Sequence, residues 1–268
     1  MFDWNQLSPQ RQQQLMATDR ILTIMDELRE KCPWDKKQTL DSLRHLTIEE
    51  TYELSDAILQ QKPNEIEKEL GDVFLHIIFY SKIGSEQGVF DYTSVLEKLC
   101  EKMIRRHPHI YGDVVAEDEE AVKRNWEQIK QQEKPATESI LSGVPKSLPA
   151  LVKAIRIQEK ARGIGFDWEN KEQVWEKVEE ELAEFKAECT AGAMDRATEE
   201  LGDVIFSIIN YARFIGISPE DALEKTNLKF IRRFMYLEKA AHQAGRKLSE
   251  MTLAEMDVYW NEAKQQDY

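Results

Sequence analysis

Little in this chain is basic, disulfide-forming or membrane-seeking. Against 50 acidic residues stand 36 lysines and arginines, which leaves a formal net charge of −14. Such a polyanion is ill suited to neutralising a nucleic-acid backbone, so no direct nucleic-acid binding is expected; a local basic cluster still suffices for a free nucleotide. Only three cysteines occur, Cys32, Cys100 and Cys189, with no CxxC pair. Their scatter argues against a disulfide framework and a structural zinc site, and fits a reducing cytoplasm. No apolar run approaches the ~18–20 residues that span a bilayer. The first residues, Met-Phe-Asp-Trp-Asn-Gln, lack the basic-then-apolar order of a secretory leader. A cytoplasmic chain with no membrane partner is the expectation. Alternating apolar and polar runs are missing too, which removes half-buried strands. What remains is 32% charged and 41% hydrophobic residues over 268 positions. That is the balance of a soluble, helix-rich protein long enough for two cored domains.

What the chain does have is a repeated acidic signature. Glu180-Glu181-Leu182-Ala183-Glu184 is followed by Glu200-Leu201-Gly202-Asp203, an EExxE motif and then an ExxD motif. The same pattern occurs earlier as Glu49-Glu50-Thr51-Tyr52-Glu53 and Glu69-Leu70-Gly71-Asp72. All five acidic positions recur at one offset of 131 residues, from Glu49 to Glu180 and from Asp72 to Asp203. The apolar run after each ExxD repeats at that offset as well. A period this long describes a duplicated domain, not a solenoid unit.

Local signals predict the helices. Ser8-Pro9 and Ser218-Pro219 are cap and first-turn pairs. They open helices expected over 9–31 and 219–243. Thr47 with Glu50 reads as a capping box for a helix running to about Gln60. Further helices are expected after Pro63, over 91–106, 118–133, 150–162, 171–188, 195–215 and 252–266. The stretch 134–149 carries Pro135, Ser139, Ser142, Gly143, Pro145, Ser147 and Pro149, a linker composition. The predicted fold is all-α, with tandem helical-bundle domains at 1–133 and 150–268.

On a helix, residues three or four apart share a face. Glu181 and Glu184 are then neighbours, as are Glu200 and Asp203, and like charges at that spacing destabilise a helix. The run Val204-Ile205-Phe206, with Ile208 and Ile209, predicts a helix buried nearly all round and places Asp203 at the edge of a core. A divalent cation between the two helices relieves both costs. Four carboxylates without imidazole form a hard oxygen site suited to Mg²⁺ or Mn²⁺. His76 follows Asp72 by one turn, but its counterpart is Ser207, so it reads as a packed or surface histidine. The bland alternative for a single EExxE is a solvated acidic face; the in-register duplication argues against it. Lys225, Lys229 and Arg232 or Arg233 form a basic stripe, fit either for phosphate contact or for pairing with surface glutamates. Trp260 suits base stacking or a core position.

These residues resemble the MazG nucleoside triphosphate pyrophosphohydrolases, within the all-α NTP pyrophosphatase group. The resemblance extends to Cys-Pro-Trp-Asp at 32–35, Arg-Arg-His-Pro-His at 105–109, Ser-Leu-Pro-Ala-Leu at 147–151, Gly-Phe-Asp-Trp at 165–168 and Lys-Phe-Ile-Arg-Arg-Phe at 229–234. It implies Mg²⁺-dependent cleavage of an NTP or dNTP such as ATP to the monophosphate and pyrophosphate by a homodimer, in house-cleaning or regulation of nucleotide pools. By the same resemblance, Glu181, Glu184, Glu200 and Asp203 are metal ligands. Lys177, Glu180, Arg196, Glu199, Lys229, Arg232, Arg233 and Trp260 contact substrate, and Glu180 or Glu181 orients the water. The alternative is a non-catalytic, metal-binding helical module.

The two copies differ around the acids. At the same offset Arg196 faces Glu65, Lys177 faces Leu46 and Glu199 faces Lys68. The second copy is therefore expected to be the catalyst. The first, with Glu50, Glu53, Glu69 and Asp72, is expected to be degenerate, a second and weaker metal site.

Overall fold

The computed structural model describes residues 6–114, 118, 121–122, 125–126, 129–130, 133 and 139–266. Among these the secondary structure is helical throughout. The helices are α1 (Pro9–Lys31), α2 (Leu40–Leu59), α3 (Pro63–Glu86), α4 (Tyr92–Arg106), the one-turn α5 (Pro108–Tyr111), α6 (Ala150–Arg162), α7 (Lys171–Ala191), α8 (Met194–Phe214), α9 (Pro219–Gln243) and α10 (Leu253–Gln266). No single helix among them is long and apolar enough to cross a membrane. The helix expected over 118–133 and residues 134–138 of the expected linker fall largely outside the described residues.

The chain divides into two compact units, Met1–Glu117 and Asp118–Tyr268. In the first, Met25, Leu43, Ile78, Phe79 and Ile83 form the buried core. Ile21, Leu22, Leu46, Leu75 and Tyr80 pack around it. Burial of side chains this size stabilises by roughly 1.5–3 kcal/mol each. In the second unit the buried apolar positions include Val174 and Val178 of α7, Ala197, Val204 and Ile209 of α8, and Leu237 and Ala241 of α9.

Each unit is built on a helical hairpin, α2–α3 and α7–α8, that carries one copy of the acidic motif. The turns match at the same offset. Lys62 N–H donates to Ala57 O, and Ala193 N–H to Glu188 O. The left-handed residue that such a turn needs is Gly192 (φ 74°) in the second copy but Gln61 (φ 53°) in the first. Glycine adopts that region without strain, whereas a side chain there costs roughly 1–2 kcal/mol.

Two sequence expectations need correction. Helix α2 starts at Leu40, capped by Thr39 in a reciprocal box with Ser42, not at Thr47. The Thr47 hydroxyl lies inside the helix, bonded to Leu43 O and 2.6 Å from His76 Nδ1. The second correction concerns α8, which is not buried all round. Val204, Ser207 and Ile209 are inside, but Ile205, Phe206 and Ile208 are exposed. The helix buries one stripe, and among the described residues Ile205, Phe206 and Ile208 are only partly covered.

Candidate functional site

The acidic cluster of the second unit is formed by two helices. EExxE lies mid-way along α7 and ExxD on the second and third turns of α8, so the hairpin brings them side by side. One carboxylate oxygen from each of Glu181, Glu184 and Glu200 lies within 4.8 Å of the others. Glu181 is buried, at 7% exposure. Asp203 is exposed and lies outside that mutual set, although its charge acts on Glu200. Partial burial, then the charges of Glu184, Asp203 and Glu181, push the Glu200 carboxyl above its ordinary pKa.

Lys177 is the local counter-charge. Its Nζ lies 2.8 Å from Glu181 and 2.9 Å from Glu180. The bond to Glu181, then that to Glu180, holds the ammonium well above the usual lysine range. Lys177 thus pairs with the first two acids of EExxE and leaves the repulsion of Glu184 and Asp203 on Glu200 in place.

Asp203, Glu181 and Lys177 stand in the wall of a cavity of about 1040 Å³. The rest of the wall is mainly apolar, with Ile157, Ile164, Phe166, Trp168 and Phe206 among its members. One polar group in that wall is set by backbone. Gln158 of α6 is 6% exposed, and its Nε2 donates to Phe206 O at 2.8 Å. The carbonyl only accepts, so the amide can take one orientation. That leaves Gln158 Oε1 buried without a partner. Arg213 is bonded to Asp167 and Asn210, which braces the Gly-Phe-Asp-Trp loop against α8.

The other sequence candidates lie elsewhere. Arg196 is exposed and stands 3.8 Å from Glu188, an ordinary surface pair. Glu199 is exposed on α8. Lys229, Arg232 and Arg233 lie on α9. Trp260 of α10 is half-buried, its ring 5.0 Å from Phe230 and 6.0 Å from the Arg233 guanidinium. None of these six is among the described residues that line the cavity. Conversely, sequence reasoning assigned no role to Gln158, Phe166, Trp168, Asn210 or Arg213. The only available signal was Gly165-Phe166-Asp167-Trp168, which reads as a loop motif without visible chemistry.

The first unit also gathers three acids, but not the equivalent three: Asp72 joins the trio and Glu53, the counterpart of Glu184, does not. Oxygens of Glu50, Glu69 and Asp72 lie within 4.8 Å of one another. Glu53 is exposed nearby, and its charge acts on Glu50. Burial, then the charges of Asp72 and Glu53, raises the Glu50 carboxyl. His76 is packed, not a member of the cluster; burial lowers its pKa, and its ring meets Tyr80 edge-on at 6.3 Å.

Comparison with known proteins gives a consistent result. A family model described as the MazG nucleotide pyrophosphohydrolase domain matches twice, over residues 38–111 and 169–236. Each match contains one hairpin with its acidic cluster. A nucleoside triphosphate pyrophosphohydrolase of Escherichia coli is 40% identical over 256 residues, covering 93% of this chain and 97% of that protein. A nucleoside triphosphate pyrophosphohydrolase/pyrophosphatase MazG of Thermotoga maritima is 42% identical over 249 residues, covering 92% and 95%. An uncharacterised Bacillus subtilis protein, YabN, is 47% identical over 247 residues, but these make up only 50% of its length.

Proposed function

Because this chain belongs to the MazG nucleotide pyrophosphohydrolase family, we propose that it hydrolyses nucleoside triphosphates to the monophosphate and pyrophosphate at the cluster of its second unit. One observation carries the reading. Carboxylates from two helices converge beside a cavity of about 1040 Å³ with an apolar, aromatic wall. That volume is ample for a nucleoside, and Glu181 and Asp203 in its wall would then face the phosphates.

The donor set fits a hard divalent cation: all oxygen, partly buried, and electrostatically frustrated as it stands. Glu181, Glu184, Glu200 and Asp203 would hold Mg²⁺, with Mn²⁺ as substitute. When bound, such an ion neutralises phosphate charge and acidifies a coordinated water. The chain's own residues do the positioning. Lys177 holds Glu181 toward the cluster and Glu180 at its rim. Glu180, half exposed, orients the water that attacks the α-phosphorus. Trp168 and Phe206 hold the base and exclude solvent. Lys229, Arg232, Arg233, Trp260, Arg196 and Glu199 lie outside the cavity wall, and their role as substrate contacts rests on the family resemblance alone. Leu201, Ile205 and Ile208 form one exposed stripe on α8, which a second copy of the chain covers in a homodimer. The work of such an enzyme is house-cleaning or regulation of nucleotide pools in the cytoplasm.

Product analysis tests the reaction. Incubation with NTPs and Mg²⁺ should yield monophosphate and pyrophosphate in equal amounts. Diphosphate with orthophosphate would overturn the assignment.

Cation binding also has a stability signature. The Glu50 and Glu200 carboxyls are raised in the folded protein. A raised carboxyl stabilises the fold fully below its unfolded pKa and loses that contribution as pH rises through the folded value. At neutral pH the metal-free clusters are therefore a burden that a cation relieves. Saturating Mg²⁺ or Mn²⁺ should raise Tm by about 5–10 °C at pH 7.5. The rise should shrink toward pH 4.5, where protonation removes both the repulsion and the ligand. An equal rise at both pH values, read by calorimetry, would contradict this.

A further inference from the structure

Asn210 of α8 stands in the cavity wall, half-buried, with its amide locked in one orientation. Its Oδ1 accepts from Arg213 Nε at 3.1 Å and from Nη2 at 2.8 Å. A guanidinium only donates, so the oxygen faces Arg213 and the NH₂ faces away from it. Arg213 is held in turn. Its side chain is 10% exposed, and Nη2 lies 2.5 Å from Asp167 Oδ1. The same Oδ1 accepts from Trp168 N–H at 3.0 Å. One chain of bonds therefore ties the Asn210 amide to the residue whose indole lines the cavity.

Among the described residues, Asn210 Nδ2 meets no acceptor, and it is not one of the polar atoms sealed from water. The other neutral polar side chains of the wall are engaged or closed off. Ser207 Oγ donates to Val204 O, Ser139 Oγ accepts from Leu141 N–H, and Gln158 Oε1 is sealed. Away from the acids, the wall thus offers a base one open donor and no comparable acceptor. Its placement along α8 suits a nucleotide. Asp203 and Asn210 are seven residues apart, two turns on one face, or about 10 Å along the axis. That is the scale of a nucleotide from its phosphate to the far edge of its base. At the same offset of 131 the first unit has Phe79, buried in the core.

We propose that Asn210 reads the base, donating from Nδ2 to an oxo oxygen, so that 6-oxopurine and 4-oxopyrimidine nucleoside triphosphates are the preferred substrates. An amino group at that position sets donor against donor and gives up its water without a partner. Adenine and cytosine reach the amide only through a ring nitrogen, which leaves their amino group against the apolar wall. The proposal rests on placing the nucleoside in the cavity of the second unit.

The test measures pyrophosphate release from pairs that differ at that edge, inosine against adenosine triphosphate and uridine against cytidine triphosphate. The oxo member of each pair should have a kcat/KM higher by at least about tenfold. Asn210→Asp keeps one oxygen on Arg213 and turns the other, an acceptor, toward the base, so the preference should invert. Asn210→Leu should bring the members of each pair within about threefold of one another. Unfolding midpoints confirm that each variant is folded. No preference in the parent chain, no inversion in Asn210→Asp, or a preference that survives Asn210→Leu would overturn the proposal. Titration calorimetry with inosine and adenosine monophosphates on the same proteins reads base choice apart from chemistry. An Asn210-dependent preference for inosine monophosphate without any pyrophosphate release sinks the enzymatic reading alone. Release without a base preference in either readout sinks this proposal alone, and neither binding nor release sinks both.

Discussion

Asp203→Asn should lower kcat/KM for pyrophosphate release by about 10³-fold or more, ~4 kcal/mol of transition-state stabilisation. Asp72→Asn, the same change at the equivalent position of the first unit, should alter it by less than about threefold. The asymmetry comes from what surrounds each carboxylate. Asp203 lies in the wall of a large apolar cavity together with Lys177 and Glu181. Asp72 stands 3.8 Å from Lys68, which already occupies part of its field. Both aspartates are only partly buried or exposed, so neither substitution threatens the fold, and melting curves of the two variants should overlay the parent. Equal losses from both would place catalysis in both units and remove the division of labour.

Trp168→Ala should raise KM by about 10- to 100-fold, the ~1–3 kcal/mol of a lost base–aromatic stack, and leave kcat within a few-fold. Trp168 belongs to the cavity wall and is 43% exposed, so an indole face is available to a ligand. The loop that carries it is held by the pairing of Asp167 with Arg213, so the site is preorganised and truncation at Trp168 removes contact area without releasing the loop. Trp260→Ala makes the contrast. Its ring packs against Phe230 at 5.0 Å, so its loss should lower the unfolding midpoint and disturb Arg233 rather than empty a base pocket. A KM rise confined to Trp260→Ala, with Trp168→Ala inert, would move the base away from the cavity. Steady-state kinetics on the two variants separate these outcomes.

The contrast between the two tryptophans also marks how far the sequence could be read. Helix starts at Ser8-Pro9 and Ser218-Pro219 were legible because capping is local chemistry, complete within four residues. The convergence of EExxE and ExxD was legible because helical spacing fixes each pair and the duplication at one offset argues against chance. Thr47 was misread because a Thr-x-x-Glu pattern fits a helix start, while the hydroxyl can equally bond back to the preceding turn, as it does to Leu43 O. The α8 run was misread because apolar composition does not say which neighbours exist. Among the described residues, none covers Ile205 and Ile208 fully. The cavity was illegible for a different reason. Gln158, Trp168 and Phe206 come from α6, a loop and α8, and no periodic pattern links them.

In the proposed reaction water attacks the α-phosphorus at the second unit's cluster. Turnover of a nucleoside triphosphate with Mg²⁺ in ¹⁸O-enriched water, followed by mass spectrometry of the products, tests it most directly. One ¹⁸O is expected in the nucleoside monophosphate and none in the pyrophosphate. Label in pyrophosphate, or in orthophosphate released beside a diphosphate, would contradict it.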